Sequence, residues 1–374
     1  MRLIYLSPVP WCSFSQRPHE LVKYFHSLTS GKVLWIDPYP GRFPTFSDVV
    51  RQRPKSGSAD CDVPGWLTVA KPRALPIEPL PFSHAINRLF WHDVESAVDR
   101  FAGNPAILGI GKPTTLALHL LGKQCFSSTF YDAMDNYPAF YRGWSRLAMA
   151  ARERRIITGV STVLASSTAL QGRLKHVATD VRLVLNACAA DRLPVPAAKR
   201  QQGDGKVPVI GYVGTIGHWF DWELVIALAQ SHPAIRFRLI GPVYVRIPAL
   251  PDNIVVESPL PHSGALRAMM EFDAGLIPFK RTALTSSVDP IKYYEYRGLG
   301  LPVISSVFGE MAFRNECDGV YLIDLNSDMG LLVTQALAYC TTPDSSARFR
   351  RDNSWESRFN QAGIFRAVAA QSPA

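Results

Sequence analysis

Apolar runs of three to seven residues alternate with stretches of helical periodicity along most of this chain, and the pattern occurs twice. Runs of this kind read as strands buried on both faces, and strands that alternate with helices build a parallel sheet covered on each side. In the first half the strands are expected at Leu3–Leu6, Val33–Ile36, Leu67–Val69, Ala106–Gly109, Ser127–Tyr131, Thr162–Ala165 and Arg182–Leu185, with helices over Arg17–Leu28, Ala85–Phe101 and Tyr137–Arg155. In the second they are expected at Val207–Val213, Arg236–Ile240, Ile254–Val256, Ala274–Ile277, Pro302–Ser305 and Val320–Ile323. Helices fall over Trp222–Ser231, Gly264–Phe272, a segment starting at Asp289, Gly330–Tyr339, and a last polar stretch near Ser354–Ala370. Pro38 to Pro81, rich in proline, glycine and basic residues, reads as a surface excursion.

A chain of 374 residues exceeds what one hydrophobic core supports. Between Asn186 and Pro208 the composition turns to Ala, Pro, Lys, Gln and Gly, which has little to bury. The expected organisation is a first domain over 1–190, a linker over 191–207, a second domain over 208–350, and a terminal helix over 351–374 packing back on the first. The fold class is therefore α/β, with two doubly wound Rossmann-like domains facing across a cleft. Strand carboxyl ends and their loops line the crevice in such a fold.

Composition narrows the function. A hydrophobic share of 47% with 19% charged residues is that of a folded soluble protein. The cysteines, Cys12, Cys61, Cys125, Cys188, Cys317 and Cys340, form no CxxC pair, so neither a zinc site nor a disulfide framework is expected and a reducing cytosol fits. The apolar start is too short for a signal peptide. Gly109, Gly111, Lys112 and Pro113 break the longest apolar region, so membrane contact would be peripheral. A net charge of +9 permits nucleic acid, anionic lipid or phosphorylated small molecules. No nucleic-acid motif with aromatics among basic residues accompanies it, so nucleic acid is not expected. The densest basic stretch, Arg142 to Arg155, fits a helix with Trp144, Leu147, Ala148 and Ala151 toward one side, either a solvated face or one turned to a lipid leaflet.

The most informative segment is Ser287-Val-Asp-Pro-Ile-Lys-Tyr-Tyr-Glu-Tyr-Arg-Gly-Leu-Gly-Leu-Pro-Val-Ile-Ser305. Pro290 suits the first helical position and Asp289 can cap it, leaving helix-start amides for a diphosphate. Lys292 and Glu295 share a face, either as a surface pair or as a phosphate cation and a carboxylate for ribose hydroxyls. Gly211-Tyr-Val-Gly-Thr-Ile-Gly217 is a spaced-glycine turn after a strand, either a plain tight turn or a place where backbone approaches a ligand. In the first half Arg17 and His19 follow strand one; Arg17 can offer a fork to phosphate, and His19 is either a base or a capping or packing histidine. Asp132 and Asp135 follow another buried strand and can hold an acceptor hydroxyl, act as a base, or cap a helix near Tyr137.

Together these stations resemble the GT-B glycosyltransferases, most closely the bacterial family 4-like group of teichuronic-acid, capsule and exopolysaccharide biosynthesis. The resemblance rests on Gln16-Arg-Pro-His19, Tyr131-Asp-Ala-Met-Asp135, Val209-Ile-Gly-Tyr-Val-Gly214 with Asp221, Leu239-Ile-Gly-Pro242, Phe272-Asp-Ala-Gly-Leu-Ile-Pro-Phe279, and Pro290-Ile-Lys-Tyr-Tyr-Glu-Tyr296 leading to Gly300-Leu-Pro-Val303. It implies transfer of a hexose from a nucleoside-diphosphate sugar to a hydroxyl of a lipid-linked glycan, in the cytoplasm or at the inner face of the membrane. It implies that Glu295 binds the ribose, that Lys292 and the Ser286 and Ser287 amides contact the diphosphate, and that Pro259 and Leu260 border the nucleobase. Gly214, Thr215, Gly217, Gly241 and Arg17 complete the expected donor site, and Asp132, Asp135, His19 and Lys292 the catalytic set. No metal and no resident cofactor are implied. Three departures stand out. Ser287 occupies a position often acidic, Thr215 to Glu223 lacks the usual Arg and Lys, which Arg246, Lys280 or Arg281 can replace in space, and the Tyr131–Asp132 region stands where a histidine is common. A sugar-nucleotide epimerase and a non-catalytic sugar-nucleotide or glycan-binding partner are the alternatives.

Overall fold

A computed structural model describes residues 1–41, 62–78, 80, 82–103, 105–195 and 206–366. The core of the expected surface excursion and of the linker thus lies outside the described residues, as does the chain end. The chain divides into two compact units, one of Met1–Val184 joined by the segment from Phe359, the other of Leu185–Arg358.

The first unit runs β1 (Arg2–Leu6), α1 (Arg17–Thr29), β2 (Lys32–Ile36), β3 (Leu67–Ala70), α2 (Ser83–Arg88), α3 (His92–Phe101), β4 (Ala106–Ile110), α4 (Thr115–Leu121), β5 (Ser128–Ala133), α5 (Gly143–Gly159), β6 (Thr162–Ala165), α6 (Thr168–Leu174) and β7 (Val181–Leu183). Its strands form one sheet in the order β3-β2-β1-β4-β5-β6-β7, and each pairing is parallel. β1 lies between β2 and β4, with Leu3 opposite both Val33 and Ile107. The chain reverses its direction of travel across the sheet there, which opens a crevice beyond the carboxyl end of β1.

Hydroxyls set the helix starts. Thr114 accepts from the Ala117 amide and Ser167 from the Leu170 amide, each satisfying one orphan donor. Two expected helices are shorter than their periodicity suggests. Ala85–Phe101 breaks at Leu89–Trp91, where the Trp91 side chain turns fully into the core. Tyr137–Arg155 divides into a 3-10 turn at Tyr137–Phe140 and α5, because Gly143 enters with φ of +52°. Cys12 is disulfide-bonded, which the scattered cysteines did not suggest. Cysteine spacing along a chain says nothing about which thiols the fold brings within bonding range.

The second unit runs β8 (Val209–Val213), α7 (Trp222–Ser231), β9 (Arg236–Ile240), β10 (Ile254–Glu257), α8 (His262–Met269), β11 (Ala274–Ile277), α9 (Ile291–Gly298), β12 (Val303–Ser306), β13 (Val320–Ile323), α10 (Met329–Ala338) and α11 (Pro343–Asp352). Its parallel sheet has the order β10-β9-β8-β11-β12-β13, with the reversal between β8 and β11. This bears out the expected pair of doubly wound α/β sheets. A last helix, α12 (Trp355–Gln361), carries the chain into the first unit, where the Tyr24 hydroxyl donates to Asn360 Oδ1 at 2.7 Å.

Candidate functional site

In the second unit the site is built at the strand ends beside the reversal. Gly214 and Gly241 close β8 and β9 and lie against each other: the Gly214 amide donates to the Ile240 carbonyl at 2.9 Å, and a Cβ on Gly241 would stand 2.1 Å from the Gly214 oxygen. Only glycine permits that approach. The Gly241 amide in turn donates to the Glu257 carbonyl at 3.1 Å, which brings the loop carrying the exposed Pro259 and Leu260 alongside. Past Gly217, the Trp219 carbonyl accepts from the Lys280 amide at 2.7 Å, so the loop after β8 is tied to the loop after β11. Thr215 is half-buried and its carbonyl accepts from the Tyr212 hydroxyl at 2.8 Å. Lys280 and Arg281 are exposed on the loop after β11, and Arg246 is exposed beyond β9.

Helix α9 rests on this end of the sheet. The Tyr296 ring fills the space a Gly275 side chain would need, and its hydroxyl accepts from the Val213 amide at 3.0 Å. The helix closes with the Leu301 amide donating to the Tyr296 carbonyl at 2.9 Å and the Gly300 amide to the Arg297 carbonyl at 3.0 Å, a Schellman closure made possible by Gly300 at φ 79°. Glu295 is buried at 8% exposure, and its carboxylate meets Lys292 Nζ at 2.6 Å. Among the described residues no hydrogen bond uses the Ile291 and Lys292 amides, the two donors at the start of α9.

Two details differ from expectation. Asp289 is not the cap of α9. It is buried, and its carboxylate accepts from the Asn186 amide at 2.7 Å, the Tyr294 hydroxyl at 2.8 Å and the Arg314 guanidinium at 2.8 Å. Three donors satisfy it laterally, so Pro290 stands at the N-cap position. The Ser286 and Ser287 amides, in a 3-10 turn over Thr285–Ser287, are also spoken for, donating to the Thr282 and Leu284 carbonyls just before it at 2.9 and 3.4 Å.

In the first unit the carboxyl ends of β1 and β5 gather the other candidates. Asp132 is fully buried and is gripped by Arg17, with Nε and a terminal nitrogen at 3.0 and 2.8 Å, while the guanidinium also donates to the Val184 carbonyl. Arg17 is therefore not a free phosphate fork. His19 is also committed, because its Nδ1 accepts from the Gln16 amide at 3.2 Å, its Nε2 donates to the Trp11 carbonyl at 3.1 Å, and its ring packs on Trp11 and Trp35. No ring nitrogen is left to serve as a base.

Asp135 differs. Its carboxylate accepts no hydrogen bond among the described residues, and it keeps partial exposure. Burial pushes its pKa up to about 7; Arg17 pulls it down and the Asp132 charge adds to the rise. A carboxylate that is half ionised near neutrality and reachable by a proton has the properties of a general base. Two tyrosines that the sequence reading passed over stand with it. The Tyr5 hydroxyl is buried beside Asp132 with no hydrogen-bond partner of good geometry among the described residues, and the Tyr137 hydroxyl donates to the Gly111 carbonyl at 2.6 Å. A tyrosine inside the otherwise aliphatic run Leu3-Ile-Tyr-Leu6 was the available signal for the first. Among the described residues no group of three or more His, Cys, Asp or Glu could hold a metal ion, and no helix is long and apolar enough to cross a membrane.

The sequence matches no protein-family model and no curated protein. Solved structures share its fold. Sucrose-phosphate synthase from Thermosynechococcus elongatus is similar with a TM-score of 0.67 and 14% identity, over 99% of this chain and 97% of that one. The Anabaena protein HepE in complex with UDP-glucose gives 0.65 and 13%, over 98% and 100%. WaaG, a glycosyltransferase involved in lipopolysaccharide biosynthesis, gives 0.57 and 13%, over 99% and 98%. At such identity the likeness speaks for the fold, which is the GT-B fold.

Proposed function

We propose that this chain is a glycosyltransferase that moves a hexose from a nucleoside-diphosphate sugar to a hydroxyl of a lipid-linked glycan, in the cytoplasmic assembly of a bacterial surface or extracellular polysaccharide. The observation that carries the reading is the buried Glu295 paired with Lys292 at the amino end of α9, next to two amides that have no partner among the described residues. A helix start offers donors and a partial positive charge to a diphosphate. Lys292 can turn from Glu295 to a phosphate oxygen, and the carboxylate it releases can accept from both ribose hydroxyls. The fold agrees, since HepE is a structure in complex with UDP-glucose.

In the reaction the bond between the anomeric carbon and the diphosphate oxygen breaks and one to the acceptor oxygen forms. The electron pair leaves with the diphosphate, whose charge Lys292 and the α9 amides offset without a metal ion. The acceptor proton passes to a base, and Asp135 is the group with the suitable pKa. Calorimetric titration with UDP, GDP and ADP and their sugars tests the ligand class directly. Glu295→Ala is expected to raise donor KM strongly, Lys292→Ala to lower kcat, and EDTA to change neither. Donor kinetics like those of the unaltered protein in both variants would refute the assignment. Epimerised donor in the absence of acceptor would identify an isomerase, and tight nucleotide binding without turnover on any acceptor a binding partner.

A further inference from the structure

The start of α9 departs from the arrangement its own residues favour. In an Asp-Pro pair at a helix start the proline suits the first helical position and the carboxylate before it caps the free amides. Here Pro290 has ψ of 122°, outside the helical range, so the helix begins one residue later. The Ile291 and Lys292 amides are left with no protein partner among the described residues. Asp289, the anion next to them, is held to the side.

The hold centres on Arg314, which donates to one oxygen of the Asp289 carboxylate at 2.8 Å, while the Asn186 amide and the Tyr294 hydroxyl donate to the other at 2.7 and 2.8 Å. The Asn186 side-chain amide donates to the Asp289 carbonyl at 2.6 Å, which fixes the backbone at the same point. Arg314 is itself braced by the first turn of α9. Its guanidinium carbon lies 3.8 Å from the centre of the Tyr293 ring, and it donates to the Tyr294 hydroxyl at 3.0 Å. The 3-10 turn that precedes it, Gly309–Phe313, is fastened to the residue before Asp289. The Glu310 amide donates to the Val288 carbonyl at 3.0 Å, and a Cβ on Gly309, at φ of 44°, would stand 2.2 Å from the Val288 oxygen. Asp289 and Arg314 are both buried in the pair, at 0% and 10% side-chain exposure.

We infer that Arg314 is a positioning residue of the donor site: by holding the Asp289 carboxylate to the side, it stops the chain from capping α9 with its own anion and reserves the amides for a diphosphate. Carboxylate and phosphate compete for the same donors and the same positive helix end. Without the guanidinium, Asp289 is a buried anion with two neutral lateral donors and an uncapped helix start one residue away, and capping becomes its way to gain compensation. The ion pair also cancels a negative charge beside the place where a diphosphate would bind. The inference rests on the donor site proposed above, and Arg314 acts there through Asp289.

The test is calorimetric titration of UDP, GDP and ADP into the full chain, Arg314→Met, Asp289→Ala and the double variant, with thermal melts on the same samples. Arg314→Met is expected to bind the preferred diphosphate about tenfold more weakly, because a cap and a like charge then oppose it. Adding Asp289→Ala to Arg314→Met is expected to return the affinity to within about twofold of the unaltered chain, although the double variant has lost more native contacts. Asp289→Ala alone is expected to bind at least as tightly as the unaltered chain. A clamp that served stability alone would make the double variant the weakest binder. Donor KM should follow these affinities, with kcat at saturating donor changed less. Tyr294→Phe removes one lateral donor and no charge; it is expected to weaken binding less than Arg314→Met, again with rescue by Asp289→Ala, and it carries the test if Arg314→Met is unfolded at the assay temperature. Affinity in Arg314→Met equal to that of the unaltered chain, or a double variant no tighter than Arg314→Met, would overturn this inference while the donor site stands. Absence of nucleotide binding by the unaltered chain would overturn the donor site and this inference with it.

Discussion

In the first unit Asp132 is held by Arg17, both side chains almost without exposure, and the Asp135 carboxylate nearby accepts no hydrogen bond among the described residues. In the second unit Glu295 is held by Lys292, whose side chain keeps 27% of its exposure. The first ion pair is closed to exchange and serves as a fixed field in which a neighbouring carboxylate titrates. The second is open on its cationic side, so a phosphate can replace the carboxylate as the partner of Lys292. One pair prepares a proton acceptor and the other a ligand site, and only the second reads in sequence as an acid and a base near one helix start.

The largest effect that would sharpen this contrast is at Asp135. Asp135→Asn is expected to lower turnover by roughly 100- to 10,000-fold, the range of a lost general base, in an assay with saturating donor. Stability should move the other way. A carboxyl whose folded pKa is raised to about 7 contributes stability fully at pH values below its unfolded value of about 4 and loses it as pH climbs to 7. Thermal melts of Asp135→Asn and the unaltered chain should therefore agree near pH 4 and separate by pH 8, with the variant melting higher. A variant that melts lower at pH 8 would show that the Asp135 carboxylate holds the fold together.

Next is the closed pair. Asp132→Ala removes the carboxylate that pairs with the buried Arg17 guanidinium, and is expected to cost about 3–5 kcal/mol in urea unfolding. A cost below about 1 kcal/mol would mean that Arg17 escapes to water, and the contrast between the two pairs would be lost.

How far these differences were visible in the sequence follows from what each depends on. The strands were legible because their burial is local: Val163, Leu164 and Ala165 follow Thr162 as a short apolar run, and the bounds Thr162–Ala165 match the structure. The residues of α9 were legible because Lys292 and Glu295 are three apart on one helix. The partners of Asp289 were not, since Asn186 and Arg314 come from 103 and 25 residues away. The same holds for Arg17, whose partner Asp132 lies 115 residues on. A residue type at a strand end tells which atoms face a crevice, and only the packed structure tells which of those atoms are still available. Helix α5 is a middle case, since the spacing of Trp144, Leu147 and Ala151 was visible in the sequence and their exposure was not.

A smaller effect is expected where the second unit depends on backbone contact. Gly241→Ala forces a methyl group to 2.1 Å from the Gly214 oxygen at φ of 147°, and is expected to cost about 1–3 kcal/mol while weakening nucleotide affinity, read by thermal melt and calorimetry. Unchanged affinity would place the donor away from the Gly214–Gly241 contact and move it toward the loop after β11.

The smallest stability effect is expected at the open pair, and it is the sharpest test of the exchange. A pair three residues apart on a helix, with one partner over a quarter exposed, contributes about 0.3–0.5 kcal/mol after solvent screening. Lys292→Ala should therefore unfold within about 1 kcal/mol of the unaltered chain even though its kcat falls. A double-mutant cycle with Glu295→Gln separates the pair from the rest of the fold. If Lys292 leaves Glu295 when the diphosphate binds, the coupling energy between the two positions measured by thermal melt should shrink or change sign on adding saturating nucleoside diphosphate, since Glu295 then loses its cation and gains the ribose. Coupling that persists unchanged in the presence of nucleotide would mean that the pair stays closed, as Arg17 and Asp132 do, and that the diphosphate draws its compensating charge from Lys280 or Arg281 instead.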